Sequence, residues 1–482
     1  MRLVFVMIAM WLLGGGVAGA QPDPNKPPPK KKQPKKKSPT DPTIDPYADA
    51  GADPGTAPMD PYSPTGDKPL DKSDEVAPIA KGGAVTPVGR TGLDLTAIQG
   101  LLGVQRLGGW LLFDRDGQNP IARSLVAPVG RVERSWFYLI PARGEPRLLV
   151  HASDAGSFAK VVGTTSTYSG YRDLDKGLKA LLKGTKTVAM EYAAKGALPT
   201  LSRVDAGTIE RVRAAGVTVK SSHSLVQFTK AVWGEAGRRA HAIAAHHLTS
   251  IRKDALGFIA KQIAGNAPVT ERDVQQRILK AMAMRGLVGP SPVVAAGANT
   301  ADPRYLPTAT RSSAIKKGDL VVLSLAGKLD QDGSVYAATT WVAYVGDMVP
   351  DRMSKAFDTV AIARDQAVTF IADRAKRRRA MQGFEVDAVA RSFVEKAGMG
   401  NLFVHRTGHS IDTDLLGGGA DLDDLEVKDT RALVVGSGFT IGPGVYASGD
   451  FGVRTEICVY FGAAGVEVTT AQQDQIETLL KP

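Results

Sequence analysis

Downstream of Phe228 the chain passes twice through the same order of elements, two amphipathic helices and then apolar strands, and few folds accommodate that order. Leu248, Ile251, Ala255, Phe258, Ile259 and Ile263 recur mostly at three- and four-residue steps, which puts one apolar stripe on a long helix ending near Gly265. Thr270, with Asp273 three residues later, opens a second helix that carries Val274, Ile278 and Met282 on one face. Strand-length apolar runs follow at 320–325 and 335–345. Helical patterns return at 353–372 and 383–396, and strands at 438–441 and 455–460. The repetition predicts an α+β domain over 227–482 with an internal pseudo-two-fold duplication.

Upstream, residues 89–226 alternate short apolar runs with helical stretches. Runs at 110–113, 136–140, 148–150, 187–190 and 217–219 have strand length, and 173–182 and 206–214 read as helices. Arg143-Gly144-Glu145-Pro146 joins two of the strands as a hairpin. The pattern predicts a small α/β domain built on a mixed sheet. Residues 21–88 are rich in Pro, Lys, Asp and Gly and too poor in apolar side chains to offset their ordering entropy, so a disordered linker is expected. Its charge is segregated, with lysines at 30–32 and 35–37 and aspartates recurring over 41–74. A solvated spacer and a tether to an anionic envelope surface are both open readings. The net charge of +11 carries no argument for nucleic acid, because basic residues interleaved with aromatics are absent.

The first twenty residues read as a signal peptide: Arg2, an apolar run from Leu3 to Leu13, and Ala18-Gly19-Ala20 before Gln21. Export to the periplasm or beyond is expected, with an uncleaved anchor as the alternative. The single cysteine, Cys458, allows no internal disulfide, so stability must come from a sizeable core, in which Cys458 itself reads as a buried strand residue.

Two segments carry the chemistry. Phe403 to Asp412 reads F-V-H-R-T-G-H-S-I-D, and Phe439 to Glu456 reads F-T-I-G-P-G-V-Y-A-S-G-D-F-G-V-R-T-E. They resemble the paired signatures of the creatinase/aminopeptidase P family of pita-bread metallopeptidases, H-R-T-G-H-S-I-G and F-S-I-E-P-G-I-Y…F-G-V-R-S-E. Asn299-Thr300-Ala301-Asp302-Pro303, Thr340-Trp341-Val342 and Asp423-Asp424-Leu425-Glu426 extend the similarity, which runs from about 92 to 475 and looks nearest the Xaa-Pro aminopeptidase-like branch. The resemblance implies a creatinase-like α/β domain over 89–226, a pita-bread domain over 227–482, and a homodimer as one expected assembly.

The resemblance also implies a site of two divalent cations, such as Mn, Co or Zn, held by two aspartates, one histidine and two glutamates. Four carboxylates offset the charge of two cations, and a bridging water becomes a nucleophile near neutral pH. Carried over position by position, the first aspartate falls on Ser324 within Gly318-Asp319-Leu320-Val321-Val322-Leu323-Ser324-Leu325, and the second on Ala338. The histidine is His409, the first glutamate falls on Gly442, and the second is Glu456. A substrate-contacting histidine falls on Arg304 in Pro303-Arg304-Tyr305-Leu306-Pro307, and a further one on Leu416.

No bound cofactor is therefore expected. His409 and Glu456 are read as a hydrogen-bonded structural pair, or as the base of a makeshift single-metal shell completed by His405, Asp412 and Asp414. A guanidinium stays protonated, so Arg304 cannot act as a base but can clamp a carboxylate. Arg304, His405, His409 and Glu456 thus outline a vestigial pocket whose ligand-binding end is Arg304 and His409. The expected function is a catalytically inactive, exported pseudopeptidase that binds a peptide or small carboxylate, or acts as a scaffold. The alternatives are an active aminopeptidase or metal-independent hydrolase with an atypical site, or a chain whose dimer surface matters and whose pocket does not.

Overall fold

The computed structural model describes residues 93–480; the expected signal peptide and the 21–88 linker lie outside the described residues. The first part comprises α1 (Leu95–Val104), β1 (Gly109–Asp114), α2 (Pro120–Val126), β2 (Trp136–Pro141), β3 (Arg147–His151), β4 (Thr164–Tyr168), α3 (Tyr171–Leu181), β5 (Thr187–Met190), α4 (Ala206–Ala214), β6 (Thr218–Ser221) and the short α5 (His223–Val226). Its six strands form one mixed sheet in the order β4-β3-β2-β1-β5-β6, with β2 antiparallel to both neighbours. The 143–146 turn makes the β2–β3 hairpin, as its sequence indicates. Helices cover both faces, and β1 and β2 are buried along their whole length. Glu191 is buried at the sheet edge and accepts from Trp110 Nε1 at 2.7 Å, Asn119 Nδ2 at 2.9 Å and Ser222 Oγ at 3.0 Å, which ties β1, α2 and β6 to one carboxylate.

The second part opens with α6 (Glu235–Ala264) and α7 (Glu271–Met284), then β7 (Leu287–Val288), β8 (Val293–Ala296), β9 (Leu320–Leu329) and β10 (Ala337–Tyr344). The order then repeats with α8 (Asp351–Lys376), α9 (Gly383–Lys396), β11 (Ser410–Ile411), β12 (Ser437–Ile441), β13 (Gly444–Ala447), β14 (Phe451–Arg454), β15 (Ile457–Gly462), β16 (Gly465–Val468) and β17 (Glu477–Thr478). The expected stripe of α6 is buried apart from a half-exposed Phe258, and α7 carries the reciprocal Thr270–Asp273 capping box. A second such box, Gln382 with Glu385, starts α9. Each helix pair covers its own sheet: α6 and α7 pack on β8, β9 and β10, while α8 and α9 pack against β12, β14 and β15. The duplicated α+β architecture therefore holds.

Sequence patterns missed β4, β8 and the β13–β14 hairpin, because four- and five-residue segments carry too little periodicity to register. Ser437, between Gly436 and Gly438, opens β12. His241 is buried on α6, with one ring nitrogen 2.7 Å from Tyr336 O and the other 2.7 Å from Thr469 Oγ1. Burial lowers its pKa to about 4, against a carbonyl bond that pulls it back up.

The unfolded chain takes up that proton near pH 6.5, whereas the folded chain resists until about 4. The stability His241 contributes is complete above 6.5 and is lost as the pH falls toward 4. This amounts to roughly 3 kcal/mol over that window. Urea unfolding at stepped pH should show His241→Gln losing less stability than wild type between pH 6.5 and 4; parallel slopes would contradict the assignment.

Candidate functional site

The site lies where β10, β12 and the β14–β15 junction meet, and each contributing segment is held from behind. On α9, Asp387 accepts from Thr407 N at 2.8 Å and Thr407 Oγ1 at 2.7 Å. Arg391 pairs with Asp387 at 2.7 Å and donates to Phe403 O at 3.1 Å and His405 O at 2.9 Å. These contacts fix the H-R-T-G-H stretch, which then runs beside β12: Thr440 N donates to His409 O at 2.8 Å and Gly442 N to Thr407 O at 2.7 Å. Gly408 is required here, since a Cβ would lie 1.9 Å from Thr440 O.

On the other side, Arg364 of α8 is fully buried and donates to Thr455 Oγ1 at 2.9 Å and Gln473 O at 2.7 Å. Gln473 bonds the N–H of Val342 at 2.9 Å and its carbonyl at 2.6 Å. The residue before Glu456 is thereby clamped to the strand that carries Thr340, and Thr340 and Glu456 form an isolated β-bridge.

Within this frame Glu456, 5 % exposed, has both oxygens engaged. Arg454 Nη2 donates to Oε1 at 2.8 Å, and Thr340 Oγ1 lies 2.9 Å from Oε2. Thr340 Oγ1 is also 2.9 Å from Ser324 Oγ, its cross-strand neighbour on β9. With one hydroxyl proton, Thr340 serves the carboxylate and Ser324 closes the chain by donating to Thr340. Burial is the largest influence on Glu456 and works against its charge, but Arg454, His409 and the Thr340 hydrogen bond together hold the carboxyl below its usual range.

The histidines are neutral. His405 lies 2.7 Å from Arg406 O through Nδ1, which must therefore carry the proton, so Nε2 accepts from Tyr446 Oη at 3.0 Å. Burial first, and then the Arg454 charge, lowers its pKa to about 4. His409 donates from Nδ1 to Ser410 O at 3.1 Å, and burial lowers its pKa despite the pull of Glu456 and Asp421.

Several sequence expectations change here. Glu456 is held by Arg454 and Thr340, so the expected His409–Glu456 hydrogen bond gives way to a longer-range electrostatic coupling. The makeshift shell does not assemble. His405 is spent on Arg406 and Tyr446, Asp412 accepts from the backbone of Asp414 and Gly418, and Asp414 pairs with Lys230 at 2.7 Å. Arg304 sits on an exposed turn where its own N–H donates to Asp302 Oδ1, and no hydrogen bond or ion pair joins it to His409 or Glu456. That turn nonetheless borders the site, because Gly452 N of β14 donates to Thr300 Oγ1 at 3.0 Å. Leu416, 61 % exposed, supplies no polar group. Cys458 is buried beside Ala338, bonding its N–H and carbonyl, and burial pushes the thiol pKa far up.

Sequence reasoning missed Arg454. It stood in the matched motif, but only the structure shows where its guanidinium goes. A Cβ built on Gly442 would lie 3.0 Å from Glu456 Cβ and Cγ and 3.3 Å from Arg454 Nη2. The guanidinium therefore occupies the space next to Gly442 that a larger side chain would contest.

A metal centre does not fit this donor set. Among the described residues no group of three or more His, Cys, Asp or Glu side chains could hold an ion. Zinc sites use at least three protein ligands, and a cation beside Glu456 would face a guanidinium already bonded to that carboxylate.

The fold and site define a two-domain chain with a pita-bread second domain. Residues 235–463 match the model of metallopeptidase family M24. The chain is 29 % identical over 214 residues to an Xaa-Pro dipeptidase of Lactobacillus delbrueckii subsp. lactis, a match covering 44 % of this chain and 54 % of that relative. The chain thus spans about half the length of the relative it matches. Dipeptidase PepE from Mycobacterium ulcerans superposes with a TM-score of 0.61 at 22 % identity, covering 80 % of this chain and 96 % of the other. An X-Pro aminopeptidase from Thermotoga maritima gives 0.56 at 19 %, covering 80 % and 99 %. The two structures establish the shared fold. The sequence relatives include dipeptidases, where the motifs alone had pointed to the aminopeptidase branch.

Removing one member of the Arg454–Glu456 pair strands the other charge in a mostly buried site. Arg454→Met should cost about 2 to 4 kcal/mol, the lower part of the range for buried pairs because the Arg454 side chain is partly exposed. Arg454→Met with Glu456→Leu should recover most of that loss. Urea denaturation of the two variants checks it; additive losses would mean that the pair is not the site's counter-charge.

Proposed function

We propose that this chain is a non-catalytic, exported homologue of the Xaa-Pro peptidases, whose pita-bread pocket binds a peptide or serves as a scaffold. The carrying observation is the donor set: among the described residues no three His, Cys, Asp or Glu side chains gather to hold an ion, and Glu456, which the family resemblance assigns to a metal, has both oxygens bonded by Arg454 and Thr340. Ser324, Ala338 and Gly442 stand where the same resemblance places the other three carboxylates, and such residues offer no charge to hold two cations. Several facing carboxylates without a cation would repel one another and raise each other's pKa, so small neutral side chains form a relaxed replacement. The signal-like segment at 1–20 supports export.

The enzyme alternative has a specific hydroxyl to consider, Ser324 at the end of the Thr340–Glu456 chain. That chain draws the serine proton toward a carboxylate already neutralised by Arg454, and no histidine is bonded to Ser324, so an activated nucleophile is not assembled.

Protein dialysed against Mn, Co or Zn should retain well under one equivalent per chain by elemental analysis. A chelator should leave its melting temperature unchanged to within about a degree, because no bound ion stabilises the fold by mass action. Xaa-Pro peptides incubated with any of these ions should be cleaved at background rate. Two tightly held ions, or turnover abolished by His409→Ala with stability intact, would overturn the proposal.

A further inference from the structure

We propose that the first domain carries a binding cleft of its own, at the carboxyl end of β1, for a small organic monocarboxylate with a flat apolar body. The cleft has a volume of about 780 Å³ and shares no lining residue with the β14–β15 site, so the proposal does not depend on the catalytic state of the second domain. Size and position both suit a ligand. Small-molecule sites occupy roughly 300–1,000 Å³, and open α/β sheets bind outside the carboxyl ends of their strands. Here β1 runs parallel to β5, and α3 and α4 pack on the same face of the sheet. Their amino-terminal turns border the cleft, which Leu174 walls and Phe113 and Phe137 floor, with the two rings 4.9 Å apart and held by the core beneath them.

The charges around the cleft set the sign of the ligand. Asp205 caps α4, accepting from Thr208 N at 2.9 Å and Thr208 Oγ1 at 2.7 Å. Glu133 and Asp116 both face Arg131, at 3.2 and 3.8 Å, and Arg211 pairs with Asp175 at 2.6 Å. Arg115 is the exception: it is exposed on the cleft, and among the described residues its side chain makes no hydrogen bond or ion pair. Its loop is nonetheless fixed. The buried Asp114 carboxylate accepts from Gly117 N at 3.2 Å and Asn119 N at 2.8 Å, and Gln118 N donates to Arg115 O at 3.1 Å. A guanidinium presents its donors in a fork that matches a carboxylate, and the aromatic floor supplies contact for a flat body. With Asp116 and Glu133 at the rim, a second negative charge on the ligand would meet repulsion, which favours a carboxylate over a phosphate dianion.

Ligand-observed NMR titration of the full chain tests this with phenylacetate, phenylacetamide, acetate and phenyl phosphate. Phenylacetate should bind roughly tenfold more tightly than phenylacetamide, the low end for a charge-assisted bond because Arg115 is exposed. It should exceed acetate, which brings no ring to the floor, by about tenfold or more. Phenyl phosphate should bind no better than phenylacetate. Arg115→Gln should erase the difference between acid and amide at an unchanged melting temperature, and Leu174→Trp, which fills the cleft from its wall, should weaken every aromatic probe. Arg304→Ala, at the rim of the second-domain site, should leave all affinities as they are. No saturable binding of phenylacetate, equal affinity for its amide, tighter binding of phenyl phosphate, an acid preference that survives Arg115→Gln, aromatic probes unaffected by Leu174→Trp, or a loss in Arg304→Ala would each overturn the proposal.

Discussion

The site is organised around one ion pair between residues two apart in the chain. Arg454 is the last residue of β14 and Glu456 immediately precedes β15, so the pair spans the point where the chain leaves a two-stranded hairpin and enters the β12–β15 sheet. Both charges are largely removed from water, and each pKa is moved toward the ionised form, because the partner charge and the neighbouring polar groups together exceed the burial that opposes them. That balance needs rigid surroundings. Arg364 and Gln473 supply them from behind, Thr340 from the side, and Tyr446 carries the network on to His405.

The rest of the pocket follows from the same pair. With Glu456 neutralised internally, there is little electrostatic demand for a positive ion and little support for a protonated histidine, and His405 and His409 rest as neutral rings bonded to backbone carbonyls. Gly442 completes the arrangement by absence of bulk, since the guanidinium and a side chain at that position would compete for the same few ångströms. On the proposed reading, the charge that bound cations would balance is absent because Ser324, Ala338 and Gly442 carry none.

Much of the fold was legible in the sequence because its long elements announce themselves. The α6 stripe, the Thr270–Asp273 cap and the repeat of helix pair and strands all reflect periodicities set by local geometry. The candidate site was legible only as a list of positions. Ser324, Gly442, His409 and Glu456 could be placed by motif, but spacing says nothing about which side chain satisfies which. The partner of Glu456 was therefore misjudged as His409, and Arg304 was given a place in the pocket when its turn leaves it at the rim. Asp412 and Asp414 show the same limit: proximity in sequence suggested ligands, whereas the Asp412 carboxylate braces its own loop and that of Asp414 ties the loop to Lys230.

The most direct test is a crystal structure of the protein grown in millimolar manganese, with diffraction recorded at a wavelength where the metal scatters anomalously. The account predicts no anomalous peak between His409 and Glu456, and density for the Arg454 guanidinium in contact with the Glu456 carboxylate. One or two strong peaks at that point, with Arg454 swung away from Glu456, would contradict it.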